Sequence, residues 1–172
     1  MSARIATIKN GITNCYLIQE EGTILIDTGM PKGLPGFQKT FRQLSIAPHE
    51  IELIVLTHGD IDHVGSAKAL KTWTGAQIAI HNRDRLNLEC SRYNFPPGAT
   101  PWGRFLHFIA DPILRMVIPS APSAKADLVL GEEAVSLADF GISGQVVYTP
   151  GHTLGSVSVL LETGEAFVGS LA

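Results

Sequence analysis

Short apolar runs recur along the chain, each closed by polar or small residues. They predict buried strands at Thr23–Ile26, Glu52–Leu56, Ala76–Ile80 and Gln145–Tyr148. Asn14–Ile18 reads as the antiparallel neighbour of the first of these, and the segment Met1–Thr13 begins the first strand. Between Pro35 and Ile46 the period changes, placing Phe37, Phe41 and Leu44 on one face of an amphipathic helix. Asp62–Leu70 has the composition of a further helix, opened by an acidic residue.

The pattern is least regular over 83–126, which reads as an insertion. Within it Tyr93–Gly98 is a loop. The stretch Pro101–Ile118 is apolar but broken by Arg104, His107, Asp111, Pro112 and Arg115, so it cannot span a membrane. It is either a lid with an apolar lining or a helical hairpin packed on the body or on a partner. An aromatic-rich stripe is usually core, whereas a lid would imply a substrate with an apolar acyl or aromatic portion.

Length and composition suit one domain spanning 1–172, since 172 residues with 45% hydrophobic content can fill a core. The formal charge of −3, a pI near 6.0 and the lack of a Lys/Arg run argue against a nucleic-acid surface. The N-terminus lacks the apolar segment of a signal peptide. Two cysteines, Cys15 and Cys90, fit free thiols in a reducing cytoplasm, and neither lies beside the motifs described next.

Those motifs sit at strand ends. Directly after Glu52–Leu56 comes Thr57-His58-Gly59-Asp60-Ile61-Asp62-His63, which places four donors in six residues. Gly59 permits a tight or left-handed turn, and imidazole with carboxylate is a donor set for zinc, iron or manganese. His and Asp are also ordinary turn and cap residues, but turn chemistry does not need them at this density. A second His stands at the end of Gln145–Tyr148, in Thr149-Pro150-Gly151-His152-Thr153-Leu154-Gly155-Ser156, where Pro150 and Gly151 turn the chain sharply and present His152. His49 and His107 read as structural. His81, at a strand's end, could approach the site but is not expected to be a ligand. Asp139-Phe140-Gly141 reads as a turn.

With the strand pair ending in Ile26-Asp27-Thr28-Gly29, the two His-bearing motifs make the chain resemble the metallo-β-lactamase superfamily over nearly its whole length. The resemblance implies an α/β (α+β) fold of four layers, an αββα sandwich of two mixed sheets flanked by helices, with a metal centre at one sheet edge. It implies His58 and His152 as ligands of one metal and Asp62 and His63 as ligands of a second. Asp27 corresponds to a buried structural carboxylate that braces the metal loop.

Two positions depart from the family pattern. Asp60 stands where the family has its second histidine. As a ligand it would make the first site two His and one carboxylate, a harder set that shifts preference from zinc toward iron or manganese, and flavodiiron-type relatives also carry an acidic residue there. Alternatively Asp60 faces solvent and the first site is weak or empty. Ser170 occupies the position of a bridging Asp, where a neutral hydroxyl cannot screen two cations about 3.5–4 Å apart. The chain stops at Ala172, whereas family members usually continue through further strands, a helix and a last metal-binding His. The expectation is a fragment, or a fold completed by a homodimer or swapped partner, because a sheet edge would otherwise be uncovered.

The implied activity is metal-dependent hydrolysis, with metal-bound hydroxide attacking the carbonyl of a small-molecule ester, thioester or lactone. One or two Zn2+ ions are the expected cofactor, with Fe or Mn as alternatives. Asp62 is the expected catalytic residue, holding a second ion or orienting water as a base. Two other readings are a mononuclear iron oxygenase or redox relative, favoured by Asp60, and a catalytically silent fragment or partner-completed form, favoured by Ser170.

Overall fold

The computed structural model describes residues 3–90, 100, 102, 108 and 121–170. Strands β1 (Arg4–Asn10), β2 (Thr13–Gln19) and β3 (Thr23–Ile26) form an antiparallel meander. Helix α1 (Leu34–Leu44) then leads to β4 (Ile51–Val55), and the short α2 (Ile61–Val64) and α3 (Ala67–Thr74) lead to β5 (Gln77–His81). Helix α4 (Arg85–Cys90) and β6 (Leu128–Leu130) follow. Strands β3 to β6 are mutually parallel, which gives a six-stranded mixed sheet of order β1-β2-β3-β4-β5-β6. Strands β7 (Val135–Ser136), β8 (Gly144–Tyr148), β9 (Val157–Leu161) and β10 (Ala166–Val168) form a second, antiparallel sheet of order β10-β9-β8-β7.

Alternation along the strands sorts the core into two layers, because successive side chains point to opposite faces. Leu17, Leu25, Ile54, Ile78 and Ile80 meet Phe37, Phe41, Val64, Leu70 and Leu88 from the four helices. Their neighbours Ile18, Ile24, Ile26, Leu53, Val55 and Ala79 meet Val146, Val157, Val159 and Phe167 of the second sheet. The central strands are covered on both faces, which is why their sequences are almost wholly apolar. In α1, Phe37 and Phe41 are one turn apart and buried, and Phe41 packs against Trp73 of α3 at a ring separation of 5.1 Å.

The strands expected at 23–26, 52–56, 76–80 and 145–148 appear as β3, β4, β5 and β8, within one residue at each end. The single helix expected over Asp62–Leu70 is instead broken into α2 and α3. The break has a tertiary cause: a Cβ on Gly65 would lie 2.4 Å from the Pro31 nitrogen, so the chain passes close to the Gly29–Pro31 turn there. Ser66 Oγ donates to the Met30 carbonyl and accepts from the Gly33 N–H, fastening the break. Of the expected αββα sandwich, two facing sheets and one helical layer are present among the described residues. The buried side chains of all four described helices join the six-stranded sheet, not the outer face of the second. The apolar stretch read as a lid or hairpin at 101–118 lies outside the described residues except at Trp102 and Phe108, as does His107. No described helix is long and apolar enough to cross a membrane.

Candidate metal centre

The parallel arrangement carries the ends of β3, β4 and β5 to one edge, where ligand sites of open α/β sheets form. From β3 comes Asp27, in a left-handed conformation (φ 60°) that Asp tolerates better than most residues. From β4 come Thr57 and His58. The turn after β8 delivers His152 from the second sheet, and the Val157 N–H donates to the Thr57 carbonyl at 2.8 Å, locking the two sheets at this point.

His58 Nε2, Asp60 Oδ2 and His152 Nε2 converge, with the three donor atoms all within 4.8 Å of one another. Asp60 Oδ2 lies 2.9 Å from His152 Nε2 and 3.5 Å from His58 Nε2. Tetrahedral donors at bonds of about 2.1 Å stand roughly 3.4 Å apart, so these separations fit one ion. Asp60 is also the N-cap of α2, yet its carboxylate makes no capping bond. It turns into the cluster instead, at 24% side-chain exposure, rather than out to solvent.

The hydrogen bonds fix which nitrogen of His58 is free. Thr57 Oγ1 has one proton, and the Asp27 carboxylate accepts it at 2.8 Å. The Thr57 oxygen must then accept from His58 Nδ1, 3.1 Å away. This leaves Nε2 with a bare lone pair, buried and without a hydrogen-bond partner. A buried acceptor of this kind, oriented by a hydrogen bond on the opposite ring nitrogen, is the arrangement of a metal-ligating histidine.

Asp62 and His63 form a pair beside this cluster, with Asp62 Oδ2 3.4 Å from His63 Nε2. Asp62 also accepts from Thr13 Oγ1 at 2.9 Å, and His63 Nδ1 donates to Asp27 Oδ2 at 2.8 Å. Ser170 lines the same cleft of about 230 Å³, together with Thr13, Asp27, Asp62 and His63. Just before it, Gly169 runs so close to the loop that a Cβ would sit 2.3 Å from Thr57 Oγ1 and 2.8 Å from His58 Nδ1. A second cleft of about 280 Å³ opens on the other side of Asp60 and His152, lined also by Arg83, Asn87, Thr153 and Leu154.

The charges are strongly coupled. Burial opposes ionisation of Asp60, but the adjacent imidazoles of His58 and His152 outweigh it and hold the carboxyl below its usual range. The hydrogen bond to His63 holds Asp62 well below its usual range. Burial opposes charge on His63, yet the bonds to Asp27 and Asp62 prevail and raise the imidazole from 6.5 to about 10. Cys15, distant from the motifs in sequence, is buried close enough to feel Asp27 and Asp62. Burial, reinforced by those two charges, pushes its thiol far up.

Because the folded value for His63 is raised, its contribution to stability is complete below about pH 6.5 and is lost as pH rises through about 10. Chelator-treated protein is therefore expected to show a thermal midpoint that declines across that window. A His63→Gln variant should lack most of the decline. An equal slope in both proteins would contradict the assignment.

The remaining histidines separate cleanly. His81 is buried outside the cluster, accepts at Nδ1 from the Arg83 N–H, and stacks on Tyr148 with ring centroids 4.6 Å apart. His49 lies in the exposed turn before β4. Two site residues were not singled out by sequence: Thr13, which holds Asp62, and Asp84, a buried carboxylate just past β5. Asp84 follows a strand end as Asp27 and His58 do, and that position was the available signal.

A family model described as the metallo-beta-lactamase superfamily matches residues 8–167. An uncharacterized protein of Mycobacterium tuberculosis is 30% identical over 151 residues, covering 84% of this chain and 58% of that protein. The probable metallo-hydrolase YflN of Bacillus subtilis is 25% identical over 164 residues, covering 91% and 59%. Among solved structures, BJP-1, a subclass B3 metallo-beta-lactamase of Bradyrhizobium japonicum, superposes with a TM-score of 0.67 at 27% identity, covering 91% of this chain and 53% of that one. The chain thus spans less than two thirds of the length of these proteins.

Proposed function

Since the chain belongs to the metallo-β-lactamase superfamily, we propose that it carries the metal centre of a hydrolase acting on a small ester, thioester or lactone, with His58, Asp60 and His152 as ligands of one ion. The observation that carries this reading is the bare, buried Nε2 of His58 facing Asp60 and His152. Two imidazoles and a carboxylate suit zinc, and the carboxylate keeps iron and manganese within reach. When bound, such an ion supplies Lewis acidity, polarising a carbonyl and bringing the pKa of water down toward about 7.

The chain's own residues supply the rest. Thr57 and Asp27 orient His58 through the Nδ1 bond and so keep Nε2 available. Asp62 is ionised and fixed by Thr13, and can accept a hydrogen bond from a water and aim it at the carbonyl. Asp62 and His63, 3.4 Å apart at the donor atoms, are also spaced to hold a second ion, with Ser170 contributing only a hydroxyl in their cleft. The cleft beside His152 and Asp60, about 280 Å³, offers room for a small substrate.

Elemental analysis of the purified protein, paired with a panel of ester, thioester and lactone substrates, tests the reading. About one to two zinc ions per chain with carbonyl hydrolysis is the expected result. Iron with visible absorbance would replace it by a redox enzyme, and negligible tightly bound metal by a silent fold.

A further inference from the structure

We propose that Asp84 is a positioning residue that clamps the two donor-bearing loops together. Its effect on metal affinity rests on the ligand assignment above, whereas the clamp itself does not. Asp84 is 5% exposed and is held at the end of β5 by its own N–H, which donates to the His81 carbonyl. Its Oδ2 accepts from the Gly59 N–H at 2.8 Å and from Thr153 Oγ1 at 2.7 Å. Gly59 lies between His58 and Asp60, and Thr153 directly follows His152. A single carboxylate oxygen therefore joins the loop after β4 to the loop after β8, each from a different sheet.

The surroundings are built to fit this carboxylate. A Cβ on Gly155 would lie 2.6 Å from Asp84 Cγ, and a Cβ on Gly59 would lie 3.1 Å from Asp84 Cβ and under 3 Å from Asn87. The Thr153 hydroxyl that Asp84 holds also accepts from the Gly155 N–H and meets Ser156 Oγ at 3.0 Å, so the turn behind His152 is organised around it. Asp84 is not one of the three clustered donors. It acts through the loops, setting how far His152 stands from His58 and Asp60. Bonds to an ionised acceptor are about twice as strong as neutral ones, which suits a single oxygen holding two loops.

Asp84→Ala, Asp84→Asn, Thr153→Val and the Asp84→Ala/Thr153→Val pair test the clamp, with two readouts. The first is zinc affinity by competition with a chromophoric chelator, and the second is hydrogen exchange of segments 57–63 and 149–156 in chelator-treated protein. Asp84→Ala is expected to weaken zinc binding by about 10–100-fold, the usual cost of losing an outer hydrogen-bonding partner. Asp84→Asn, which keeps an acceptor oxygen but not the charge, should recover part of that loss, and the pair should cost less than the sum of the two single changes because both remove one shared contact. Both segments should exchange faster together in Asp84→Ala. Faster exchange in only one segment, or unchanged zinc affinity alongside a lowered thermal midpoint, overturns the proposal. Coupled faster exchange in Asp84→Ala, in a protein whose wild type binds no zinc, would reject the ligand assignment and support the clamp.

Discussion

His58→Leu is expected to abolish tight metal binding while leaving the chelator-treated protein about as stable as wild type. The two effects separate because His58 Nε2 is buried with no partner in the protein. An unsatisfied buried polar atom costs about 1–3 kcal/mol, and replacing it by an apolar side chain of similar volume removes that cost. The exchange is also tight, since Gly169 passes close to the ring, and volume-conserving swaps typically cost under about 1.5 kcal/mol. Leucine also forfeits the Nδ1–H bond to Thr57 Oγ1, worth about 0.5–1.5 kcal/mol, so the terms oppose each other and nearly cancel. Metal binding has no such compensation: deleting a ligand should exceed the roughly 10–100-fold loss that follows removal of an outer partner. His152→Ala, at an exposed position, should lose metal similarly with little change in stability. Elemental analysis and urea denaturation after chelation read both quantities. Wild-type metal content in either variant would remove the cluster from consideration as a metal centre.

Asp27→Ala is expected to be the most destabilising single change near the site, at about 3–5 kcal/mol, the usual cost of deleting one member of a buried charged pair. Asp27 is 2% exposed and accepts from the Thr57 N–H, the Thr57 hydroxyl and His63 Nδ1. Truncation leaves all three donors buried and unmatched. It also puts alanine at φ 60°, a left-handed conformation costing roughly 1 kcal/mol for residues other than Gly, Asn or Asp. Asp27→Asn tolerates that backbone and keeps an acceptor for Thr57, so its loss should be clearly smaller. Denaturant unfolding of chelated protein measures the difference. Equal losses for Ala and Asn would mean that charge, not hydrogen-bond capacity, is what Asp27 provides. A loss under about 1 kcal/mol for Ala would place the loop's support elsewhere.

Much of this arrangement could be read before any coordinates. Runs such as Thr23–Ile26 are buried on both faces, and burial on both faces removes the polar alternation that would blur them. His58 and His152 stood out because strand ends project side chains that turns alone do not require. Asp60 was harder, since an acidic residue before a helix is ordinarily a cap. Only the fold shows that its carboxylate makes no cap bond and turns to His152. Asp84 was not legible at all: its partners lie 25 and 69 positions away, and a single Asp after a strand looks like turn chemistry. Cys15 is a buried free thiol as expected, but its nearness to Asp27 and Asp62 in space is not legible from the sequence for the same reason. The break between α2 and α3 depends on contact with the Gly29–Pro31 turn, which local helix composition does not encode.

One consequence follows from where the cluster draws its donors. Asp60 and His152 are 92 positions apart in the chain and belong to loops of different sheets. An ion gripping both would bind the folded form and leave on unfolding, so it would stabilise by mass action, by about 2.7 kcal/mol when free ion stands at a hundred times its dissociation constant. Metal supply would then govern how long the folded form survives as well as whether it can react, and scarcity of the ion would be felt first as turnover of the protein.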